Sequence, residues 1–346
     1  MTATSSHHST THWSAPTLIF TPIELSRGIR GEILTECRLP TRHCPVPRNL
    51  PSFTEWRPWL AQLVTDPAAL PGYATLKYSK SGEVFRARFP GPGDPHAATL
   101  DVACRYFPVN ETQKRRKTQT QKTENGRSFL RFCVSVFLRF FRPSRASRNL
   151  LRARRLLQVG IDTPVPLAWI ERTTPPRSSW LVTEFVANVV DLDQIVLTLL
   201  AQMDRQAWRN AKAGILDAVV ELLARLDRAG LHHRDLKASN ILMTNWEGRE
   251  TRPRPVLVDL DGLHPHRWWD RRRRWQPLIR LAASLRDYPG LTRTDFARFL
   301  HRYLSQIGRP KAEWKTHFRR LTRDATEYVQ RSQHRKTHKL DGFTGT

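Results

Sequence analysis

The sequence predicts an α+β fold in which strands dominate the first half of the chain and helices the second. Residues 74–78 and 84–89 alternate between apolar and polar side chains, as the strands of a half-buried hairpin do, and a third run of this kind follows at 100–107. Residues 204–229 instead repeat apolar side chains at helical spacing and end at Gly230, a helix stop signal. A chain of 346 residues suits one large core with appendages better than two independent domains.

The N-terminal part of the chain gives weaker signals. Residues 1–15 are rich in Ser, Thr and His and lack an apolar period, which predicts a disordered tail. Residues 16–70 combine several prolines with large apolar side chains such as Trp56 and Trp59. We expect this stretch to pack as an N-terminal extension of the main fold.

An insertion interrupts the strand region after residue 110. Residues 111–127 are polar and basic without periodicity, which predicts a flexible segment. Residues 129–142 then alternate phenylalanine and aliphatic residues with arginine, as a short cationic helix does. This helix is too short to span a bilayer, and it fits either a position on an anionic membrane surface or packing on the fold with its arginines at the rim.

The most informative segment is 231–243, with the sequence LHHRDLKASNILM. Phosphoryl transfer needs a group that orients the attacking hydroxyl, metal ligands and a positive charge near the transferred group. Asp235 can accept the proton of that hydroxyl, Lys237 can lie near the transferred phosphoryl group, and Asn240 can bind metal. The H-R-D-L-K-x-x-N pattern is typical of a kinase catalytic loop.

A second segment, 256–261, has the sequence VLVDLD and follows soon after the first. Its apolar residues predict a buried strand that delivers Asp259 at its end. A carboxylate there can hold Mg²⁺ against the β- and γ-phosphates of ATP. An exposed, purely structural turn at 231–243 would not explain why both segments occur together.

Together with several flanking segments, these two motifs resemble the lipopolysaccharide kinase family, whose members phosphorylate Kdo or heptose in the core. The resemblance covers roughly residues 70–305 and implies a bilobal protein-kinase-like fold, with ATP and Mg²⁺ as cofactors. The small N-terminal lobe would hold an antiparallel sheet plus a helix, and the larger C-terminal lobe would be mainly helical. The matching flanks are SRA at 144–146, GIDTP at 160–164, WLVTE at 180–184, DRR at 270–272 and GLTRTDF at 290–296.

The resemblance also implies a domain division. The predicted parts are a disordered tail at 1–15, the extension at 16–70, the N-lobe at 71–185 with the insertion at about 111–143, the C-lobe at 186–310 and a basic C-terminal tail at 311–346. The C-terminal tail is partly helical by its pattern, and no chemistry is assigned to it.

The nucleotide side departs from the family pattern. Arg105 stands where the lysine that pairs with the ATP phosphates is expected, and Lys77 is an alternative cation in a similar context. Asn149 stands where a helix normally contributes the glutamate partner of that lysine. Glu184 falls in the segment that corresponds to the hinge, where backbone groups read the adenine edge.

The acceptor side also differs from protein kinases. Asp261 stands where they place glycine, and no A-P-E motif follows, which favours a small-molecule acceptor over a protein. The run 267–275 combines arginines and tryptophans near the expected acceptor entrance. It fits either a grip on an anionic sugar or phosphate, or a solvated charged face.

A formal net charge of +26 favours an anionic partner. Neither zinc-finger spacing nor an RNP-like strand is present, so we expect no specific nucleic-acid binding. Lipopolysaccharide, another anionic glycolipid or the anionic inner membrane are the predicted partners. The four cysteines lack C-x-x-C spacing, and no run reaches ~20 apolar residues, so we expect a reduced cytoplasmic protein, peripheral at the cytoplasmic face of that membrane.

Four functional hypotheses are compatible with the sequence. The first is a sugar kinase that acts on lipopolysaccharide core or a related glycolipid. The second is a protein or small-metabolite kinase with the same fold. The third is a nucleotide- or lipid-binding pseudokinase that serves as a scaffold in envelope biogenesis, which the substitutions at Arg105 and Asn149 suggest. The fourth is nonspecific nucleic-acid binding through the charge of +26, which would weaken steeply with salt and would not involve Asp235.

Overall fold

The computed structural model describes most of the chain and divides it into two compact units. Residues 1–150 and 165–184 contribute to the first unit, and residues 151–164 and 185–346 to the second. The predicted N-terminal tail, the 111–142 segment and residues 267–274 lie outside the described residues. The described residues are 17–38, 50, 52–79, 82–89, 100–108, 143–174, 176–199, 202–247, 252–266, 275–288 and 290–341.

The first unit is built on a seven-stranded antiparallel sheet with the order β1-β2-β6-β7-β5-β4-β3. The predicted hairpin is present as β3 and β4, and the predicted third strand is β5. Its strands are β1 (Thr17–Ser26), β2 (Ile29–Arg38), β3 (Ala74–Ser79), β4 (Gly82–Phe89), β5 (Leu100–Pro108), β6 (Pro166–Arg172) and β7 (Ser178–Glu184).

Residues that the sequence analysis assigned to an N-terminal extension take part in this unit. Strands β1 and β2 form a hairpin, and β2 pairs with β6 about 140 residues further along the chain, for example Ile29 with Arg172. Helix α1 (Phe53–Thr65) buries Trp56 against Phe89 of β4, with ring centroids 4.3 Å apart. Aromatic burial of this kind anchors α1 to the sheet.

Helix α2 (Arg145–Gln158) follows the insertion and includes Asn149, which the resemblance placed on a helix. In its first turns Ala146 and Leu150 are buried with Phe107 and Leu181 of the sheet. The remainder of α2, from Leu151, belongs to the second unit.

The second unit is mainly helical and contains short strands that flank the two candidate catalytic segments. The long predicted helix is confirmed as α3. Its helices are α3 (Arg205–Arg228), α4 (Gln276–Leu285), α5 (Arg293–Gln306) and α6 (Trp314–Asp341). Its strands are β8 (Val190–Asp191), β9 (Leu231–His233), β10 (Ile241–Thr244), β11 (Arg254–Leu257) and β12 (Leu263–Pro265).

One apolar core holds the second unit together around α3. Val220, Leu223 and Ala224 of α3 are buried in it, as their helical spacing predicts. Burial alone would raise the pKa of Asp295 in α5, but hydrogen bonds from Lys212 and Thr292 outweigh that effect and hold its pKa below the usual value.

The α+β class, with an antiparallel sheet in one unit and helices in the other, is confirmed.

Candidate active site

Backbone pairing brings the two catalytic segments together. Strand β9 pairs antiparallel with β12, with Leu263 opposite His233. The N–H of Arg234 also donates to the carbonyl of Gly262 at 2.8 Å. The first segment therefore begins in a two-stranded sheet, and the second segment leads directly into the other strand of that sheet.

Close backbone packing at Gly262 keeps the segments in contact. A Cβ atom at this position would lie 2.8 Å from Cε1 of His233 and 3.2 Å from the backbone nitrogen of Asp235. Real Cβ atoms are essentially never found at the shorter of these distances. Only glycine allows the approach without a shift of the histidine or the loop.

Asp235 lies just after β9 and is in contact with two cations. Its Oδ1 is 2.7 Å from Nη1 of Arg280, and its Oδ2 is 3.0 Å from Nζ of Lys237. The Asp235 side chain keeps 39% of its surface exposed. A carboxyl group that is partly open to solvent can meet an incoming hydroxyl group.

Asn240 is buried in the 3₁₀ turn Ala238–Asn240, five residues after Asp235. Its Nδ2 donates to the backbone carbonyl of Asp235 at 2.9 Å, and its own carbonyl accepts from the N–H of Val258 at 3.0 Å. The first bond fixes the orientation of the amide and leaves Oδ1 as its acceptor atom. The second bond ties Asn240 to the residue that precedes Asp259.

Asp259 has a left-handed backbone, with φ 58° and ψ 54°. Such a conformation costs on the order of 1 kcal/mol or more for a residue with a side chain, and it is frequent at functional sites. The carbonyl of Asp259 accepts a hydrogen bond from Nε2 of His233 at 2.9 Å. That bond holds the unusual backbone in place.

His233 is fully buried, and burial lowers its pKa, although the bond to Asp259 and the charges of Asp259 and Asp235 act in the opposite direction. The ring is therefore neutral near pH 7. Because a carbonyl can only accept, the proton must be on Nε2. His233 thus acts as a neutral donor that links the catalytic loop to Asp259.

Asp259 and Asn240 carry the types of oxygen atom that magnesium prefers. A carboxylate and an amide carbonyl are hard oxygen ligands, and Mg²⁺ commonly binds to one or two such protein groups plus phosphates and water. Among the described residues no cluster of three or more His, Cys, Asp or Glu side chains could hold a metal ion on its own. The residues fit a metal that enters with a phosphate ligand.

Asp261 pairs with an arginine from α2 in the second unit. Nη1 of Arg152 lies 3.7 Å from Oδ1 of Asp261, and both side chains are largely buried. The resemblance placed Asn149 of α2 at the position of the glutamate that normally pairs with the phosphate-binding lysine. It did not identify Arg152, which lies almost one turn later.

Arg105 and Lys77 lie in one cross-strand row of the first unit. Lys77 is opposite Val84, and Val84 is opposite Arg105, so β4 separates the two cations. The interstrand spacing of about 4.8 Å places their backbones ~10 Å apart on the same face of the sheet. The guanidinium of Arg105 lies 5.0 Å from the ring centroid of Phe107, whereas Lys77 is exposed.

The two other predicted nucleotide-side residues are buried. Asn149 is 2% exposed and lies one helical turn from Ala146, on the side of α2 that packs on the sheet. Glu184 ends β7, where its N–H donates to the carbonyl of Val165 and its Oε1 accepts from the N–H of Val165. The Glu184 side chain thus closes the end of the strand.

Sequence reasoning missed Arg280 and Tyr328, which both lie near Asp235. Arg280 is the single charged residue in the mainly apolar sequence of α4, and this contrast could have marked it as a candidate functional residue. Tyr328 belongs to the C-terminal tail, and no spacing connects it to the catalytic loop. Helix packing alone brings it there.

An apolar cavity is a further feature of the second unit. It lies among α3, α4 and α5, and Lys212 and Asp295 are its charged lining residues. Its apolar lining includes Leu192, Val196, Leu216, Val219, Leu285 and Phe299.

Nothing in the described helices is both long and apolar enough to cross a membrane.

Comparison with known proteins gives consistent matches. The sequence model of the lipopolysaccharide kinase (Kdo/WaaP) family matches residues 102–303. The lipopolysaccharide core heptose(I) kinase WaaP of Pseudomonas aeruginosa is 31% identical over 159 residues, which cover 43% of this chain and 56% of that enzyme. The chain therefore matches little more than half the length of this curated relative.

A solved structure named WaaP in complex with acyl carrier protein has a similar fold. The TM-score is 0.50 with 21% sequence identity, and the match covers 76% of this chain and 89% of that one. At this identity the likeness concerns the fold.

Proposed function

Because the chain belongs to the lipopolysaccharide kinase (Kdo/WaaP) family, we propose that it is an ATP-dependent kinase that phosphorylates a sugar of the lipopolysaccharide core. The acceptor would be Kdo, heptose or a sugar of a related anionic glycolipid. The observation that carries the proposal is the convergence of Asp235, Asn240 and Asp259 through the β9–β12 pairing. These are the groups that phosphoryl transfer to an alcohol requires.

Asp235 acts as the general base. Its partly exposed carboxylate takes the proton of the acceptor hydroxyl while the new O–P bond forms and the bond between the γ-phosphorus and the ADP oxygen breaks. Lys237, with Nζ 3.0 Å from Oδ2 of Asp235, supplies positive charge where the transferred group passes. Asn240 and Asp259 would hold Mg²⁺, whose charge offsets that of the phosphates.

On the nucleotide side we assign the phosphate contact to Arg105 rather than Lys77. Arg105 lies on the same face of β5 as Phe107, which packs against α2, whereas Lys77 is exposed on another strand. The buried amide of Asn149 would help to orient this arginine. Backbone groups near Glu184 would read the adenine edge.

The net charge supports a position at an anionic surface. A charge of +26 would draw the protein to the anionic cytoplasmic face of the inner membrane, where lipopolysaccharide core is accessible before export. Contact would be peripheral.

The test is ATP turnover by the purified protein with Mg²⁺ and core oligosaccharides that contain Kdo or heptose. Product mass and ³¹P signals would identify the phosphorylated sugar. We expect Asp235→Asn and Asp259→Asn to lower turnover by about 1,000-fold and Asp287→Asn, a matched change at an exposed aspartate, to preserve it. Phosphate that appears only on proteins or small metabolites would move the assignment to those acceptors.

A second candidate function is a pseudokinase scaffold. The observation that favours it is the presence of Arg105 and Asn149 in place of the lysine and glutamate of kinases. Nucleotide binding without turnover on any acceptor would support this role. Acceptor-dependent turnover that Asp235→Asn abolishes would exclude it.

An acyl carrier protein is a candidate partner, as the name of the solved neighbour indicates for that protein. The apolar cavity of the second unit favours the idea, because an acyl chain could be buried among its aliphatic side chains. We expect purified acyl-loaded carrier to bind more tightly than unloaded carrier, and Val219→Trp, which fills the cavity, to remove the difference. Equal binding of both carriers would contradict a role for the cavity.

A further inference from the structure

A residue outside the catalytic loop holds the carboxylate of Asp235. Nη1 of Arg280, in α4, lies 2.7 Å from Oδ1, whereas Lys237 contacts Oδ2. The side chain of Arg280 is 23% exposed and that of Lys237 is 48% exposed. The better-shielded arginine, with its rigid planar head group, therefore defines the direction of Oδ1 more firmly than the lysine defines that of Oδ2.

Tyr328 of α6 fixes the arginine in turn. Its hydroxyl accepts a hydrogen bond from the same Nη1 atom of Arg280. The guanidinium carbon also lies 4.5 Å from the centroid of the Tyr328 ring, a cation–π distance. Two contacts of different kinds, one polar and one with the ring face, restrict the guanidinium.

The helix that carries Tyr328 is itself anchored. Leu321 and Ala325 of α6 are buried, and His317 stacks on Trp275 at the start of α4 with centroids 4.6 Å apart. The anchoring residues of α6 all lie within the three helical turns that precede Tyr328, so the helix that carries Tyr328 is packed against the second unit up to that residue.

We propose that Arg280 and Tyr328 are positioning residues for Asp235, so that α6 is part of the phosphoryl-transfer site. This inference rests on the proposed kinase function. Helix α6 begins at Trp314, beyond residue 303, where the match to the family model ends. The proposed support for Asp235 thus comes from a helix that lies outside the residues matched by the family model.

The physical reason is orientation of the base. A general base must offer an oxygen within ~3 Å of the acceptor hydroxyl, and a misplacement of about 1 Å can cost ~100-fold in rate. With Oδ1 engaged by Arg280, the carboxylate presents its Oδ2 edge, beside Lys237, to the incoming hydroxyl. Loss of Arg280 would allow the side chain to rotate away.

The kinetic test uses Arg280→Met, Arg280→Lys, Tyr328→Phe and Tyr328→Leu with a core acceptor at saturating ATP. We expect Arg280→Met to lower kcat about 100-fold with little change in either KM, and Arg280→Lys to recover part of the loss. Tyr328→Phe keeps the ring contact and should lose less than Tyr328→Leu.

The matched control is Arg331→Gln, a change at an exposed arginine of α6 that pairs with Glu327 and should leave kcat unchanged. Because Arg280 acts through Asp235, Arg280→Met should cause no further loss in the Asp235→Asn background. A full additional loss there, or a higher acceptor KM with unchanged kcat, would overturn the proposal. The second result would show that Arg280 binds the acceptor instead.

Hydrogen exchange gives a readout that does not depend on activity. Asp235→Ala removes the anion that holds Arg280, so amide exchange around Tyr328 should accelerate, and Arg280→Met should have the same effect. Unchanged exchange in both variants would overturn the proposal. A wild-type protein without turnover would refute the proposed function, while the exchange result would still decide whether Asp235, Arg280 and Tyr328 are linked.

Discussion

In the second unit the candidate acceptor-side groups lie on two segments that are joined by strand pairing, whereas in the first unit the candidate nucleotide ligands are spread over three strands and a helix. Asp235 and Asp259 are linked through the β9–β12 pairing and the ring of His233. Arg105 and Lys77 share only a cross-strand row, with β4 between them. A change at one residue of the second-unit site should therefore disturb its partners, whereas a change at Arg105 or Lys77 leaves the other cation in place.

The largest expected effect belongs to the linked site. Asp235→Asn removes the proton acceptor, and we expect kcat to fall about 1,000-fold with ATP affinity preserved. Steady-state kinetics together with nucleotide titration would measure the two quantities separately. A variant that kept more than a tenth of the wild-type kcat would show that the base is not Asp235.

In the first unit, single substitutions can distinguish the roles of Arg105 and Lys77. Arg105→Met should raise the KM for ATP by about tenfold or more, because a charge-assisted contact with phosphate is lost, whereas Lys77→Met should change it less than twofold. The KM of ATP at fixed acceptor is the measurement. A large effect at Lys77 with none at Arg105 would transfer the phosphate contact to the exposed strand.

The close packing between the segments predicts a smaller effect, on stability. Gly262→Ala would press a methyl group against His233, and we expect a loss of about 1–3 kcal/mol in the free energy of unfolding. Urea denaturation would measure it. Gly290→Ala is the matched control, since the nearest atoms to a Cβ added there lie 3.8 Å away. An equal loss of stability in that variant would show that the close packing at Gly262 is not the cause.

The smallest effect concerns pH. Burial lowers the pKa of His233 in the folded state, so below about pH 6.5 the unfolded chain binds a proton that the folded chain does not. The stability from His233 is therefore present above that pH and lost as the pH falls, by at most ~1.4 kcal/mol per pH unit. Denaturation of wild type and His233→Gln between pH 7 and 5 would show a shallower dependence in the variant; parallel curves would exclude this contribution.

The sequence was most informative where function and chain order coincide. Segments 231–243 and 256–261 are short and contiguous, so their spacing could be read directly, and the hairpin at 74–89 and the helix at 205–228 followed from periodicity. The family that these motifs indicated is confirmed by the match over 102–303.

The structural features that the sequence did not predict depend on contacts between segments that are distant in the chain. Strands β1 and β2 join the sheet by pairing with β6, and no local pattern in 16–70 specifies that partner. Arg280 and Tyr328 reach Asp235 only because α4 and α6 pack together. The roles of Arg105, Asn149 and Glu184 stay predictions for the experiments above.

The exposed face of β3 has a consequence for solubility. In the described part of the sheet β3 is an edge strand, and its Leu76 and Tyr78 are 50% and 82% exposed on either side of Lys77. Apolar side chains on an edge strand favour backbone pairing with a second copy of the protein. Two features of β3 oppose this pairing: the charge of Lys77 and the irregular strand register between Thr75 and Lys77. Lys77 then protects against self-association, and its loss would appear in light scattering at high protein concentration.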